Sequence, residues 1–327
     1  MSDREETKLL CRIASMYYIE DMTQSQISAN TGIHRTAISK LLKKAREEGI
    51  VTIKIKDDIN ECFELEGILE KTLGLKEAIV LHSYSGQSED SIIQNLGEFG
   101  AEFLKRILKD GDVVGFAWGK TVSAVANQLY HCKKVFANVI PLVGGPNNLD
   151  NEYHVNTIVS KVSTAFGAKP HYLYAPAITY EKKTKDAIME DKNFKDILEL
   201  WEKMNKAVVG IGSPLKSNNL IWTGSFKSYE TDILDKNGAV GDVCSRFFDV
   251  NGNLVDDELK DRIIAIDPEK LKKMEYSIGV AESEVKVPSI LGAIRGKYIN
   301  VLITDEKTAK LLLELDKQLK GGAKTDE

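Results

Sequence analysis

The sequence predicts two parts: a small winged helix-turn-helix domain, followed by a larger α/β domain with a mostly parallel sheet. Three observations support this prediction. Residues 23–46 form two short amphipathic segments joined at Gly32, residues 49–55 alternate apolar and polar side chains, and short apolar runs alternate with amphipathic stretches after residue 76. A chain of 327 residues can hold two domains and bury a large core.

Residues 1–56 carry the sequence signature of a winged helix-turn-helix. Thr23 with Gln26 three residues later predicts a capping box at the start of the first helix of the pair, and Gly32 suits the positive φ of the turn. Residues 8–18 predict a preceding helix that completes a three-helix core, and residues 49–55 predict the strand of a wing. The second helix of such a motif enters the major groove of DNA.

The exposed face of this motif predicts the DNA contacts. The apolar side chains of the second helix recur at spacings of three and four, so the polar and basic ones lie on the opposite side. Residues near the start of the helix can reach base edges, and the later lysines suit phosphates. The alternative interpretation is an ordinary helical hairpin with a solvated basic face. The predicted DNA-binding residues are Thr23, Gln24, Arg35, Thr36, Ser39, Lys40, Lys43 and Lys44.

Charge is unevenly spread along the chain. Residues 1–56 hold ten Lys/Arg and seven Asp/Glu, a balance of +3, whereas the whole chain carries −5, so the remainder carries −8. This distribution is typical of a DNA-binding module joined to a part that does not bind DNA. Because the positive excess is small, one copy would bind phosphates weakly, and we expect a homodimer or homotetramer.

Cysteines and histidines predict no metal site and no cofactor. The four cysteines form no CxxC pair and the five histidines show no HxxxH spacing, which favours a reduced, cytoplasmic compartment. The amino-terminal residues contain no apolar signal region, and no apolar run approaches the length of a membrane span, so no membrane partner is expected. Residues 321–327 are predicted to be a disordered tail.

Residues 57–75 are predicted to form a linker helix. Its apolar residues Leu65, Ile68, Leu69 and Leu73 fall on one face. Two interpretations remain open: the helix packs on its own second domain, or it helps to build an oligomer.

Residues 76–320 are predicted to form the α/β domain. Apolar strands separated by helices indicate a parallel sheet covered on both faces, and such sheets bind ligands beyond the carboxyl ends of their strands. The predicted strands are 78–81, 113–116, 135–140, 172–174, 207–211, 263–266, 277–280 and 301–303, and the clearest helices are 90–109, 121–130, 156–166 and 305–319.

Glycine and polar residues concentrate in the loops after these strands. Gly119, Lys120 and Thr121 precede a helix, where free N–H groups and the helix dipole favour an anion, although the upstream glycine of a P-loop is absent. Each loop alone is typical of a tight turn. Together they favour one pocket for a small, phosphorylated ligand. Further loop residues that we assign to this pocket are Gly144, Gly145, Gly212 and Lys286.

Five segments resemble the SorC-type sugar-binding transcriptional regulators, a group that includes the Bacillus-type deoxyribonucleoside regulators. The most specific are Gly-Asp-x-Cys-x-Arg-Phe-Phe-Asp at 241–249 and Thr-Asp-Glu at 304–306. The resemblance implies an effector domain similar to the sugar-phosphate isomerase and deaminase fold, used for sensing. It also implies operator binding as a dimer or tetramer. The segments that carry it are 8–55, 115–121, 238–249, 259–266 and 300–309.

The resemblance also implies roles for the pocket residues. Gly119 to Thr121 match a polar pocket wall, Gly144-Gly145 match a turn, Asp242 matches an acceptor from sugar hydroxyls, and Lys286 matches a lysine that suits a phosphate. The chain departs from the family at Glu282-Ser283, which stands where that motif has Gly-Gly. A carboxylate there would repel a phosphate, or it could pair with Lys286 four residues later.

We therefore expect a bacterial transcriptional regulator that binds operator DNA and is controlled by a phosphorylated sugar. The resemblance covers both repressors and activators, and of the two we favour a repressor. The alternative is a sugar-phosphate isomerase- or deaminase-like enzyme with a fused DNA-binding head. That alternative needs a paired acid and base. Asp242, Glu282, His154 and His171 could serve, but no spacing marks a catalytic pair, so no catalytic residue is predicted.

Overall fold

The computed structural model describes residues 3–51, 57–84, 86–145, 151–213, 228–255 and 258–322. The chain divides into two compact units, Met1–Asp57 and Asp58–Glu327.

The described residues of the first unit form three helices: α1 (Asp3–Tyr18), α2 (Gln24–Thr31) and α3 (Arg35–Glu47). Ile13, Ile27, Ile38 and Leu42 of these helices form one buried cluster. The helix-turn-helix prediction is confirmed in its local geometry, since the Thr23 hydroxyl accepts the Gln26 N–H at 3.3 Å and the Gln26 side chain accepts the Thr23 N–H at 2.8 Å. Gly32 has φ +71°, as the turn requires. The predicted wing strand lies outside the described residues beyond Val51.

The second unit is built on a seven-stranded parallel sheet, which confirms the predicted fold class. The described strands of this unit are β1 (Glu77–Leu81), β2 (Val113–Phe116), β3 (Asn138–Pro141), β4 (Lys169–Pro170), β5 (Lys206–Gly210), β6 (Gly241–Val243), β7 (Arg246–Phe248), β8 (Tyr276–Val280) and β9 (Val301–Asp305). The strand order in the sheet is β1-β9-β8-β5-β2-β3-β4, and the apolar central strands are buried on both faces. A short antiparallel hairpin, β6–β7, lies apart from this sheet.

The last described helix runs through Gly322, two residues into the segment that we expected to be a disordered tail; residues 323–327 lie outside the described residues. Short 3₁₀ turns occupy Asn151–Tyr153, Glu258–Asp261 and Glu284–Lys286. The helices of this unit are α4 (Asp57–Leu73), α5 (Glu89–Ile107), α6 (Lys120–Asn127), α7 (Val155–Phe166), α8 (Lys182–Met189), α9 (Lys192–Lys203), α10 (Ser228–Lys236), α11 (Pro268–Leu271), α12 (Val287–Arg295) and α13 (Glu306–Gly322).

Two predicted strands are wrong. Residues 172–174 form no strand, because the pairing with β3 ends at Pro170. Residues 263–266 make only isolated bridges, in which Ile263 pairs with Ile178 and Ala265 pairs with Val143. Ile263, Ile264 and Ile266 are buried in the core without a continuous ladder, so their apolar composition alone resembled a strand.

Helix α4 packs on its own unit through Cys62 and Leu69, which are buried in the main core. Its carboxylates also bond the outer edge of β1, where Glu66 Oε1 accepts the Val80 N–H at 2.9 Å and Glu70 Oε1 accepts the Ala78 N–H at 3.1 Å. The predicted apolar face needs one correction: Ile68 is 47 % exposed, because the buried face is centred on Leu69.

Candidate functional site

Helix α3 presents a polar face opposite its buried residues Ile38, Leu42 and Ala45. This face holds most of the residues predicted to contact DNA. On α3, Arg35, Thr36, Ser39, Lys40 and Lys43 are exposed and Lys44 is partly buried. The other two predicted residues lie at the start of α2, where Thr23 is exposed and Gln24 is partly buried.

Several predicted contacts are already engaged within the protein. The hydroxyl of Thr36 lies 3.1 Å from His34 Nδ1, and Lys43 pairs with Glu47 at 3.6 Å. Lys44 bonds Glu6 and lies 3.5 Å from Glu48; the bond to Glu6 raises the pKa of Lys44. Arg35, Ser39 and Lys40, by contrast, have no partner among the described residues, so they are the most available for DNA.

The second unit brings several predicted residues to the carboxyl edge of its sheet. Strands β2, β5, β8 and β9 are parallel, so the loops that follow them emerge on the same side. Helix α6 begins directly after β2, and Gly119, with φ +128°, turns the chain into it. A Cβ built on Gly210 at the end of β5 would lie 3.4 Å from Thr121 Oγ1, which shows how closely the two loops meet.

Asp242 lies on the β6–β7 hairpin and joins this edge through its backbone. Its N–H and C=O both bond Gly212, at 3.1 Å in each direction. The side chain is buried, and this burial raises the pKa of Asp242 to about 6, against the opposing effects of the Ser245 N–H and of Lys286. A buried carboxyl with a displaced pKa is typical of a ligand site.

Glu282 and Lys286 share the same electrostatic environment. Burial raises the pKa of Glu282 and Lys286 opposes that rise, while Glu89 adds to it. Burial lowers the pKa of Lys286, which the carboxylates of Glu282, Glu89 and Asp242 oppose and Lys120 reinforces. The structure therefore groups two lysines with several carboxylates, and the pKa values of Glu282 and Lys286 depend on each other's charge.

Ser283 occupies a strained conformation beside this group. Its φ of +100° and ψ of 134° belong to a region that glycine tolerates and other residues rarely adopt. Its N–H donates to Thr308 Oγ1 at 3.0 Å, and the Thr308 hydroxyl donates to Asp305 Oδ2 at 2.5 Å. The loop thus has a glycine-like backbone at one of the two positions where the chain departs from Gly-Gly.

The remaining predicted glycines are packed tightly against other parts of the chain. The N–H of Gly144 donates to Ile264 O at 2.8 Å and that of Gly145 to Ala175 O at 2.9 Å. A Cβ on Gly145 would lie 2.0 Å from His154 Nε2. Because the amides of Gly144, Gly145 and Gly212 donate within the protein, these glycines can shape a pocket but do not offer free donors.

Sequence reasoning gave no role to Glu89, Asp305 or Thr308. Glu89 starts α5, and no motif marks it. Asp305 lies within the Thr-Asp-Glu segment that supports the family resemblance. Its position beside the loop after β8 follows only from the sheet order, which places β9 next to β8.

Comparison with known proteins separates the same two parts of the chain, because one family model matches most of the second unit. The family model described as "Putative sugar-binding domain" matches residues 57–314. A relative from Klebsiella pneumoniae, the sorbitol operon regulator, is 40 % identical over 316 residues, which cover 96 % of this chain and all of the relative. The chain belongs to the SorC-type sugar-binding transcriptional regulators. It is similar to regulators throughout its length, so a sugar-responsive transcription regulator is the function that the comparisons support.

Further relatives agree with this assignment. The deoxyribonucleoside regulator of Bacillus subtilis is 36 % identical, with 95 % of this chain and 99 % of the relative covered. The crystal structure of full-length SorC from Klebsiella pneumoniae aligns with a TM-score of 0.76 at 40 % identity, covering 96 % of this chain and 99 % of that one. A transcriptional regulator from Streptococcus pneumoniae aligns with a TM-score of 0.75 at 29 % identity, covering 80 % and 100 %. No helix among the described residues has the length and apolarity needed to span a bilayer.

Proposed function

We propose that this chain is a bacterial transcriptional repressor that binds operator DNA through α2 and α3 and releases it when a phosphorylated sugar binds the second unit. The observation that carries the effector site is the convergence of Lys120, Lys286, Asp242 and Glu282 at the carboxyl edge of the sheet. Cations suit a phosphate and buried carboxylates suit hydroxyl donors, so a sugar phosphate presents both complementary groups.

The phosphate is assigned to the loop Gly119–Thr121. Lys120 is exposed at the first turn of α6, where the helix dipole adds to its charge. Lys286 is held among three carboxylates, so its charge is largely matched within the protein. We assign it to orienting Asp242 and Glu282, which accept hydrogen bonds from sugar hydroxyls.

The names of the relatives suggest the class of effector. They include regulators of a sorbitol operon, of deoxyribonucleosides and of erythritol catabolism. A linear or cyclic polyol phosphate is therefore the first group of compounds to test. On the DNA side, the small positive excess of one copy favours action as a dimer or tetramer. The place of action that we propose is the cytoplasm, where the operator DNA of a bacterium lies.

A ligand screen followed by a DNA-mobility assay tests the proposal. A phosphorylated sugar at a hundred times its Kd adds about 2.7 kcal/mol to the free energy of unfolding, and the same compound should release operator DNA. Lys120→Ala should abolish both effects while DNA binding without ligand persists. Lys133→Ala, an exposed lysine elsewhere, is the matched control.

Three results would count against the proposal. Stabilisation by unphosphorylated sugars alone would remove the phosphate assignment, and an unchanged response in Lys120→Ala would remove the loop assignment. Conversion of a sugar phosphate into product, followed by chromatography, would instead favour the enzyme alternative.

A further inference from the structure

Three side chains with metal-ligating atoms meet at the edge of the second unit. Cys62 lies in α4, His82 follows β1, and Glu306 begins α13. One potential ligand atom from each lies within 4.8 Å of the other two. No sequence motif connects these residues. They come together because the sheet order places β1 beside β9 and so brings the two ends of the unit side by side.

The histidine is poorly satisfied in this arrangement. His82 Nδ1 lies 2.8 Å from Glu306 Oε2, but the atom is buried and has no hydrogen-bond partner among the described residues. The carboxylate oxygen is therefore close without lying along a ring N–H bond. A buried nitrogen without a hydrogen bond is costly, and a cation bound by both the nitrogen and the oxygen would satisfy both atoms.

Outer contacts hold two of the three ligands in place. The Ser83 N–H donates to Glu306 Oε2 at 3.3 Å, and Lys310 Nζ bonds Glu306 Oε1 at 2.5 Å. The Tyr84 ring packs edge-on against His82 with centroids 4.7 Å apart. Such contacts fix the orientation of ligands around a metal. The His82 side chain is 33 % exposed, which gives an ion and a water molecule a route to the site.

We propose that Cys62, His82 and Glu306 bind a zinc ion, with water as the fourth ligand. Thiolate, imidazole and carboxylate are the ligand types that zinc takes in tetrahedral sites, and the thiolate disfavours magnesium and calcium. On binding, the Cys62 thiol releases its proton to solvent and His82 binds in its neutral form. The ion would then join α4, the first helix after the DNA-binding unit, to the ends of β1 and β9.

The test uses the full-length chain, freed of metal with a chelator under reducing conditions. Zinc is titrated against a chromophoric chelator, and cobalt is titrated separately because a cobalt–thiolate bond gives a near-ultraviolet charge-transfer absorption. We expect one zinc per chain and the cobalt–thiolate band. Cys62→Ser should lose the band and weaken zinc binding by more than the 10- to 100-fold that loss of an outer contact costs. Cys132→Ser, a partly buried cysteine away from this cluster, should match the wild type.

A second variant protects the test against misfolding of Cys62→Ser. His82→Gln alters a partly exposed side chain, so it should remain folded by circular dichroism and still lose zinc affinity. Two results would overturn the proposal: absence of zinc binding by the folded wild type, or binding that survives in both Cys62→Ser and His82→Gln. In either case the cluster is a buried thiol beside a His–Glu pair.

Discussion

Replacing Ser283 with glycine should stabilise the protein. The φ of +100° costs a non-glycine residue about 1–3 kcal/mol, and glycine removes that cost. Greater freedom of glycine in the unfolded chain offsets about 0.5–1 kcal/mol. The serine hydroxyl has no partner among the described residues, so little else is lost. The net gain is about 0–2.5 kcal/mol. Each kcal/mol corresponds to roughly 2–4 °C in Tm for a domain of this size.

Urea unfolding of Ser283→Gly, Ser283→Ala and wild type measures this effect. Ser283→Ala keeps the strained backbone, so its stability should stay close to that of the wild type. Ser160→Gly, placed inside the helix Val155–Phe166, is the opposite control and should lose about 0.5 kcal/mol. A Ser283→Gly variant that is less stable than the wild type would refute the argument that the backbone at Ser283 is strained, because within the described part of the chain the serine side chain has no hydrogen-bond partner whose loss could explain the result.

The remaining predictions concern DNA binding by α3, the buried carboxyl of Asp242 and the buried ion pair between Lys206 and Asp112. Arg35→Ala should weaken operator binding by about 1–3 kcal/mol and relax sequence preference in fluorescence anisotropy, whereas Lys43→Ala should weaken all sequences alike; equal effects on operator and random DNA would reject the groove assignment. Because the pKa of Asp242 is raised to about 6, the affinity for a sugar phosphate by calorimetry should fall as the pH drops below that value, and Asp242→Asn should make this fall less steep. The slope that remains in Asp242→Asn belongs to the phosphate of the ligand, whose second pKa is also about 6. Folding raises the pKa of Asp242 from 3.8 to about 6, so ionising this carboxyl lowers the free energy of unfolding. The favourable contribution of protonated Asp242 is complete below about pH 4 and is lost as the pH rises through about 6. Asp242→Asn should therefore stabilise the protein at pH 7 but not at pH 4. Lys206 is 1 % exposed and its Nζ lies 2.7 Å from Asp112, so Lys206→Met should lower the free energy of unfolding by about 3–5 kcal/mol because the buried carboxylate loses its ion-pair partner. The double variant Lys206→Met with Asp112→Asn should recover part of that loss, and an unchanged urea midpoint in Lys206→Met would contradict the prediction.

The helix-turn-helix was predictable because its signals are local. The Thr23–Gln26 capping box and the Gly32 turn depend on neighbours within a few residues, and the structure shows both. The strands of the parallel sheet were also predictable, since burial on both faces gives continuous apolar runs. Residues 263–266 gave the same signal without forming a ladder, because burial rather than pairing determines composition there.

The candidate effector site was only partly predictable. Lys120 and Thr121 precede a helix in the sequence, so an anion site could be expected from local order. The closeness of Glu282 and Lys286 to Glu89 depends on the crossing order of the strands, which no spacing reveals. The same limit applies to Cys62 and His82, which the sequence separates by a helix end and a whole strand.

The two edges of the seven-stranded sheet are both protected against pairing with a further strand. On one side, Glu66 and Glu70 of α4 occupy the outward N–H groups of β1. On the other side, β4 consists of Lys169 and Pro170 alone, and proline offers no N–H to a new neighbour. Within the part of the chain that the structure describes, neither edge of the seven-stranded sheet offers a long row of free N–H groups to another strand. The sheet is therefore protected from the edge-to-edge growth that leads to aggregation.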